Sequence, residues 1–213
     1  MSRTDADRAA SGPPAAPSLQ ARARAAVVPL ARRLAGWGVT ANSLTIAGVV
    51  LNCAVAAVIA VGGFPLAGLL LLLANSLDML DGAVARASGG ANPFGAFLDS
   101  TLDRYAEAVV FVGLVTWFAS QNNLRGEVLT VVALVGSLMV SYTRARAEGL
   151  GLHGEIGLLA RPGRLLVLAA GLVLVAVPPL AWSLEAVVAF LALTTNLTAA
   201  QRGWYVWRQL HGS

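Results

Sequence analysis

The sequence predicts an all-α, polytopic membrane protein with six transmembrane helices and an N-terminal amphipathic helix at the membrane interface. Of its 213 residues, 57% are hydrophobic and only 12% are charged, which is too apolar for a soluble domain of this length. Six apolar stretches are each long enough to cross a hydrocarbon layer of roughly 30 Å as a helix. Every basic side chain is Arg, and the arginines bracket these stretches instead of forming a separate polar face.

Three regions follow one another along the chain. Residues 1–18 are rich in Ala, Ser, Pro and Asp without apolar periodicity, which predicts a disordered tail. Residues 19–37 alternate Arg with Ala, Val and Leu, and predict an amphipathic helix that lies in the headgroup region of a bilayer. Residues 38–213 form the predicted six-helix domain. Its spans are predicted at 42–61, 66–86, 94–120, 127–143, 164–180 and 182–207.

The distribution of arginines predicts the orientation of these spans. With the N-terminus in the cytoplasm, 14 of the 15 arginines lie on the cytoplasmic side and only Arg125 lies outside. This bias predicts a multi-pass protein of the cytoplasmic membrane, with the lipid bilayer as a partner. The formal net charge of +4 does not indicate nucleic-acid binding, because the cations flank apolar segments. Anionic lipid or a phosphorylated substrate suits them better.

Four aspartates at the cytoplasmic ends of the second and third spans are the main functional signal. Asp78 and Asp81 are three residues apart on one helix face, and Asp99 and Asp103 are four apart on the next helix. A short loop turns the third span back on the second, so the two pairs are expected to converge. Clustered carboxylates repel one another unless cations neutralise them, and hard oxygen ligands suit Mg²⁺ or Mn²⁺. Zinc is not expected, because the cluster has neither His nor Cys.

Small and cationic residues accompany the acidic pairs. Gly82 follows Asp81 and leaves room for a bulky ligand beside the helix, while Gly95 relieves crowding at the start of the next helix. Arg86, one turn beyond Gly82, is placed to reach a diphosphate. Close packing between helices is the alternative explanation for the glycines.

Together these residues resemble the signature of the CDP-alcohol phosphatidyltransferase family. The family pattern D-x2-D-G-x2-A-R-x8-G-x3-D-x3-D is reproduced, with every spacing intact, by Asp78, Asp81, Gly82, Ala85, Arg86, Gly95, Asp99 and Asp103. The six-helix layout is similar to that of the family as well. The resemblance implies transfer of a phosphatidyl group from CDP-diacylglycerol (CDP-DAG) to a polar alcohol with release of CMP, by a homodimer.

The resemblance also implies roles for individual positions. Asp78, Asp81 and Asp99 would hold two Mg²⁺ or Mn²⁺ ions, and Asp103 would be both a metal ligand and the general base. The residues implied in binding CDP-DAG are Asn42, Ser43, Leu44, Thr45, Gly82, Ala85, Arg86 and Asn92. For the segment at 40–45, capping of a helix by Thr40 or Asn42 is an equally good explanation.

Several arginines in the second half of the chain indicate a phosphorylated acceptor. A neutral alcohol would not need them, whereas a phosphate group would. These stretches resemble the phosphatidylinositol phosphate synthases of actinobacteria, in which residues matching Arg144, Arg164 and Arg202 line the inositol-phosphate pocket; Arg161 lies beside them in sequence. Inositol phosphate is therefore the expected acceptor, and glycerol 3-phosphate is the alternative. Anchoring of the spans by positive charge would also explain these arginines.

Two other classes of membrane protein place acids at membrane depth. An ion-coupled transporter does so, but it does not require the spacing of Gly82 and Arg86, and it predicts ion flux without CMP release. An intramembrane aspartyl protease pairs two aspartates, but its usual Gly-x-Gly-Asp element is absent from the sequence. The sequence therefore favours the transferase.

Overall fold

In the computed structural model, the described part of the chain forms seven α-helices. The structure describes residues 19–88, 93–154, 156–157, 159–177 and 183–211, with side chains described from residue 27 onward. Within these ranges all regular secondary structure is helical, which confirms the predicted all-α class. The helices are α1 Leu19–Gly36, α2 Ala41–Ala60, α3 Phe64–Ala87, α4 Pro93–Ser120, α5 Leu124–Gly149, α6 Arg161–Leu174 and α7 Ser183–His211.

Local sequence signals explain several helix boundaries. α2 begins after Thr40, whose hydroxyl accepts a hydrogen bond from the Ser43 amide, while the Ser43 hydroxyl accepts one from the Thr40 amide. This capping box satisfies amides that the first turn of a helix leaves without partners. Between α2 and α3, Gly62 has a φ of +80°, a conformation that is strained for residues with a β-carbon. Pro162 stands in the first turn of α6, where its missing amide costs nothing.

Among the helices that the structure describes, α2, α3, α5 and α7 are long and apolar enough to cross a membrane. α4 is also long, but Asp103, Arg104 and Glu107 interrupt its apolar character, and α6 has only 14 residues. The predicted count of six spans therefore stays a prediction. Large apolar side chains such as Val50 and Leu69 are 64% and 60% exposed, as expected for a surface that faces lipid.

Two predictions concern the N-terminal region. The disordered tail predicted for residues 1–18 lies outside the described residues. The predicted interfacial segment 19–37 coincides with α1, and its location at a membrane surface stays a prediction. Ala31 of α1 packs against Ala83 and Val84 of α3, so α1 lies beside the acidic end of α3.

Small residues set the spacing between the helices. α2 packs against α3 and α4, α5 against α4 and α7, and α6 against α3 and α7. A β-carbon added at Gly113 of α4 would stand 2.5 Å from the Ala56 carbonyl oxygen of α2. One added at Gly136 of α5 would collide with the Thr195 hydroxyl of α7. Such close approaches are typical of helices that pack within a membrane, and here they bring α4 against α2 and α7 against α5.

Candidate active site

Three carboxylates from neighbouring helices converge at one point. Asp78 belongs to α3, while Asp99 and Asp103 belong to α4 and lie one turn apart. Each offers a carboxylate oxygen, and the three oxygens lie within 4.8 Å of one another. All three residues are partly buried. The structure thus brings together three of the four aspartates that the sequence indicates as metal ligands.

Asp81 is turned toward α2 and lies outside this group of three. The residue is only 6% exposed, and its Oδ2 accepts a hydrogen bond of 2.9 Å from the Thr45 hydroxyl. Three residues of α-helix rotate a side chain by about 300°, so Asp81 points about 60° away from Asp78. The hydrogen bond from Thr45 compensates part of the cost of burying this carboxylate.

The donor set of the cluster fits a divalent metal ion. Oδ1 of Asp99 is buried and has no hydrogen-bond partner among the described residues. A buried acceptor without a partner costs about 1–3 kcal/mol, and more when it is charged, so an oxygen of this kind is suited to a cation. Three carboxylate oxygens in one group are hard ligands, which Mg²⁺ and Mn²⁺ prefer.

Arg161, the first residue of α6, enters the same cluster. Its Nη1 lies 2.8 Å from Oδ2 of Asp78, to which it donates a hydrogen bond, and 2.8 Å from Oδ2 of Asp103, with which it forms an ion pair. Burial by itself would lower the pKa of Arg161, which precedes the span predicted at 164–180, but Asp103 and Asp78 raise that pKa above its ordinary value. The sequence predicts Arg161 as a ligand of the acceptor phosphate, whereas the structure places its guanidinium on the acidic cluster.

Arg164 forms a buried ion pair one turn further along α6. Its Nε and Nη2 donate to Oε1 and Oε2 of Glu107 at 3.2 and 3.3 Å. The Ser137 hydroxyl on α5 donates to the same carboxylate at 2.5 Å, and the Arg164 and Glu107 side chains are 4% and 2% exposed. The guanidinium that the sequence assigns to the acceptor phosphate is thus engaged by an acid on α4.

The other two predicted phosphate ligands contact different partners. Arg144 is half-exposed and pairs with Glu148 one turn further along α5, at 2.8 Å. Arg202 is 7% exposed, and it donates to the carbonyl oxygens of Ile156 at 2.6 Å and Val140 at 2.5 Å. Arg202 therefore ties α7 to α5 and to the segment before α6. The roles of these arginines toward an acceptor stay predictions.

A cavity of about 220 Å³ lies between α2, α3 and α4 at the acidic cluster. A β-carbon added at Gly82, on its wall, would stand 3.3 Å from Nη1 of Arg86, so the glycine leaves this guanidinium room. The cavity is lined by Ala41, Asn42, Thr45, Asp81, Gly82, Ala85, Arg86, Gly95, Ala96 and Asp99. It therefore gathers many of the residues that the sequence assigns to CDP-DAG, together with two of the aspartates.

The remaining residues predicted to bind CDP-DAG lie elsewhere. Ser43 is engaged with Thr40 in the capping box of α2. Leu44 packs toward the small apolar cluster of α1 and α3 and lines a second, narrower pocket. Asn92 lies outside the described residues.

The narrower pocket, of about 20 Å³, contains two polar residues that sequence reasoning missed, Asn52 and Asn75. Asn52 is 8% exposed and donates to the Gly48 carbonyl oxygen at 2.8 Å. A polar pocket of this size holds about one water molecule. The other polar residues that line it are Thr45, Asp78, Asp81, Asp103 and Arg161. In the sequence, Asn52 and Asn75 each stand as an amide side chain within an apolar stretch, and this is the signal that could have identified them.

Curated proteins with similar sequences point to one family. The family model described as CDP-alcohol phosphatidyltransferase matches residues 38–200. Phosphatidylinositol phosphate synthase from Mycobacterium marinum is 40% identical over 198 residues, which cover 90% of this chain and 84% of that protein. Archaetidylinositol phosphate synthase from Methanothermobacter thermautotrophicus is 36% identical over 183 residues, which cover 85% of this chain and 89% of that protein.

Solved structures agree with the sequence comparisons. Mycobacterium tuberculosis phosphatidylinositol phosphate synthase with CDP-DAG bound is similar with a TM-score of 0.79 at 35% identity, over 85% of this chain and 93% of that chain. The same enzyme in complex with manganese and citrate has a TM-score of 0.78 at 34% identity, over 85% and 88%. The motif, the helical fold and the converging carboxylates are thus explained together: the chain belongs to the CDP-alcohol phosphatidyltransferase family.

Proposed function

We propose that this enzyme transfers the phosphatidyl group of CDP-DAG to a phosphorylated polar alcohol, inositol phosphate, and releases CMP. The observation that carries the proposal is the convergence of Asp78, Asp99 and Asp103 at a cavity whose wall also contains Asp81. A diphosphate in that cavity would lie directly beside the acids that are proposed to hold metal ions. The site therefore offers a cavity for the diphosphate and a group of acids for metal ions, which are the two components that phosphatidyl transfer from a nucleotide needs.

The cavity between α2, α3 and α4 is the proposed binding site for the nucleotide end of CDP-DAG. Arg86 lines it with a guanidinium, whose planar donors match the oxygens of a phosphate. Asn42 and Thr45 line it from α2, and Gly82 leaves space on α3. The similar enzyme of M. tuberculosis has CDP-DAG bound in its crystal structure, which supports this assignment.

The four aspartates are the proposed ligands of two Mg²⁺ or Mn²⁺ ions. Asp78, Asp99 and Asp103 form the compact group, and Asp81 lines both the cavity and the narrow pocket. When bound, such ions supply positive charge that polarises a diphosphate and stabilises the departing phosphate. The manganese complex of the M. tuberculosis enzyme supports a divalent metal in this fold.

Asp103 is the proposed general base. The acceptor hydroxyl gives its proton to a carboxylate oxygen of Asp103. The oxygen of that hydroxyl then forms a bond to the phosphorus of the phosphatidyl group. The bond from that phosphorus to the bridging oxygen of the diphosphate breaks, and its electron pair leaves with CMP. The Asp103 side chain is 14% exposed and contacts Arg161 of α6, so an acceptor bound on the α6 side would reach it.

Arginines around α6 are the proposed source of affinity for a phosphorylated acceptor. Arg161 and Arg164 are three residues apart on one face of α6, and Arg144 and Arg202 are the further candidates. The similar enzymes from a bacterium and from an archaeon are both named for inositol phosphate products. This agreement favours inositol phosphate over glycerol 3-phosphate.

We also propose that the enzyme is a homodimer in the cytoplasmic membrane with its active site facing the cytoplasm. The arginine bias of the sequence supports this orientation. CMP and inositol phosphate are water-soluble, and a cytoplasmic opening lets both exchange without crossing lipid. The dimer rests on the family resemblance.

The test is incubation of the purified protein with labelled CDP-DAG, Mg²⁺ or Mn²⁺, and a panel of alcohols and their phosphates. We expect release of CMP and formation of phosphatidylinositol phosphate, identified by mass, and loss of both products in EDTA. Formation of phosphatidylglycerol phosphate as the main product would reassign the acceptor. Ion flux in proteoliposomes without any CMP release would instead support a transporter and overturn the proposal.

A further inference from the structure

Two ionic contacts connect α4 to α6, one turn apart. Asp103 and Glu107 are four residues apart on α4, while Arg161 and Arg164 are three apart on α6, so each arginine meets one acid of α4. We name the contact of Arg161 with Asp78 and Asp103 the cluster contact, and the pair of Arg164 with Glu107 the buried contact. The two differ in how completely the guanidinium is bound.

The buried contact is closed and fully formed. Both partners are less than 5% exposed, two guanidinium nitrogens donate to the two carboxylate oxygens, and Ser137 donates to the same carboxylate. Nη1 of Arg164 also donates to the Leu159 carbonyl oxygen at 3.4 Å. Removing either charge would leave the other buried without a counter-ion, so this contact anchors α6 to α4.

The cluster contact is open and only partly formed. The side chains of Arg161, Asp78 and Asp103 are 18%, 29% and 14% exposed. A single nitrogen, Nη1, donates to Asp78 and lies 2.8 Å from Asp103 as an ion pair, while Nε of Arg161 is buried and has no hydrogen-bond partner in the described part of the chain. The hydrogen bonds of this guanidinium are therefore incomplete, and attraction between opposite charges is the main force that holds it.

The guanidinium of Arg161 occupies the carboxylates that would bind a divalent cation. Asp78 and Asp103, its two partners, are two of the three acids whose oxygens come together within 4.8 Å. A metal ion held by these acids would replace the hydrogen bond that Arg161 makes to Asp78 and its ion pair with Asp103. Because the buried contact lies one turn away, the Arg161 side chain can swing aside while α6 stays in place.

We infer that Arg161 is an exchangeable counter-ion, which neutralises the carboxylate cluster before a divalent cation binds and is displaced when the cation enters. This inference rests on the proposed metal site. It gives the arginine two opposite effects: it stabilises the metal-free protein, and it weakens the apparent affinity for the metal.

The test is the variant Arg161→Gln, compared with the wild type in the same detergent. We expect a lower melting temperature in EDTA, because the clustered carboxylates lose their cation. We also expect Mn²⁺ to bind about tenfold more tightly by calorimetric titration, because the metal no longer has to displace a guanidinium from Asp78 and Asp103. Unchanged or weaker binding of Mn²⁺ to the variant would overturn the inference.

Arg104→Gln is the matched control. Arg104 also lies beside Asp103, with Nη1 at 3.4 Å from Oδ2, but its side chain is 35% exposed and the same nitrogen donates to the Ser100 carbonyl oxygen at 2.7 Å. The control removes the same charge without emptying the space between two carboxylates, so we expect a smaller gain in Mn²⁺ affinity. An equal gain in both variants would show a general effect of charge and would contradict displacement.

Chemical modification of the wild type keeps the inference testable if Arg161→Gln does not fold. Phenylglyoxal labelling, followed by peptide mass analysis, should modify Arg161 faster with Mn²⁺ than with EDTA, while Arg164 stays protected in both. Slower or unchanged labelling of Arg161 in a protein that binds Mn²⁺ would overturn displacement alone. Absence of any Mn²⁺ binding to the wild type would overturn the proposed metal site as well.

Discussion

Replacement of Glu107 by Gln tests whether the buried contact anchors α6. Gln keeps the size of the side chain and one acceptor oxygen, but it leaves the Arg164 guanidinium charged at a site where the two side chains are 2% and 4% exposed. Breaking a buried ion pair by removing one partner costs about 3–5 kcal/mol. Because Gln still accepts one hydrogen bond, we expect a loss of about 3 kcal/mol, or roughly 6–12 °C in Tm for a protein of this size.

Glu148→Gln is the matched control, because it makes the same chemical change in an exposed pair. Arg144 and Glu148 are 47% and 50% exposed and lie four residues apart on α5. Pairs of this kind contribute about 0.3–0.5 kcal/mol, so Tm should fall by no more than about 2 °C. The assay is thermal denaturation in one detergent, followed by tryptophan fluorescence and by the recovery of monodisperse protein.

A double variant separates the lost charge balance from lost packing. Glu107→Leu combined with Arg164→Met replaces both charged groups by apolar side chains, a change that is often neutral for a buried pair. We expect it to recover most of the stability that Glu107→Gln loses. A Tm for Glu107→Gln within about 2 °C of the wild type, or a double variant no more stable than the single one, would refute the anchoring role.

Three further predictions concern the acidic end of α3 and α4. Asp103→Asn should retain CDP-DAG binding and lose at least about 10²-fold in kcat, measured by CMP release, and full turnover would contradict its role as the base. Thr45→Val should lower Tm through a loss of about 1–3 kcal/mol, because buried Asp81 loses its hydrogen bond, whereas Thr45→Ser should be close to the wild type. Equal Tm values for the two variants would show that the hydroxyl is unimportant. Gly82→Val should raise KM for CDP-DAG but not for the acceptor, because its side chain presses on Arg86; a rise in both KM values would place Gly82 elsewhere in the mechanism.

Residue spacing predicts most of the helical layout and the main part of the site. A short connection makes consecutive helices antiparallel neighbours, so the pairs at the end of α3 and the start of α4 were expected to meet. Asp78, Asp99 and Asp103 do so. The capping explanation for the segment at 40–45 is also supported, because Thr40 and Ser43 form a capping box while Asn42 lines the cavity.

The partners of individual side chains were harder to predict, because they depend on how each helix is rotated against its neighbours. Asp81 faces Thr45, and Arg161 faces Asp78, through contacts between elements that are distant in sequence. Periodicity within one helix contains no information on such contacts. Pro162 is a further local signal, because proline favours the first turn of a helix; it places Arg161 at the start of α6 and not in a loop before a span at 164.

The arrangement on α6 follows from the cost of charge near a membrane. An isolated Asp at the centre of a bilayer costs roughly 2.5–3.5 kcal/mol, and repulsion between clustered acids adds to that cost. Arg161 reduces it by pairing with Asp78 and Asp103, but a permanently bound guanidinium would close the cluster to metal ions. Arg164 cannot take over, because Glu107 already holds it. In the proposed exchange, α6 would therefore contribute one fixed cation, Arg164, and one exchangeable cation, Arg161, three residues apart.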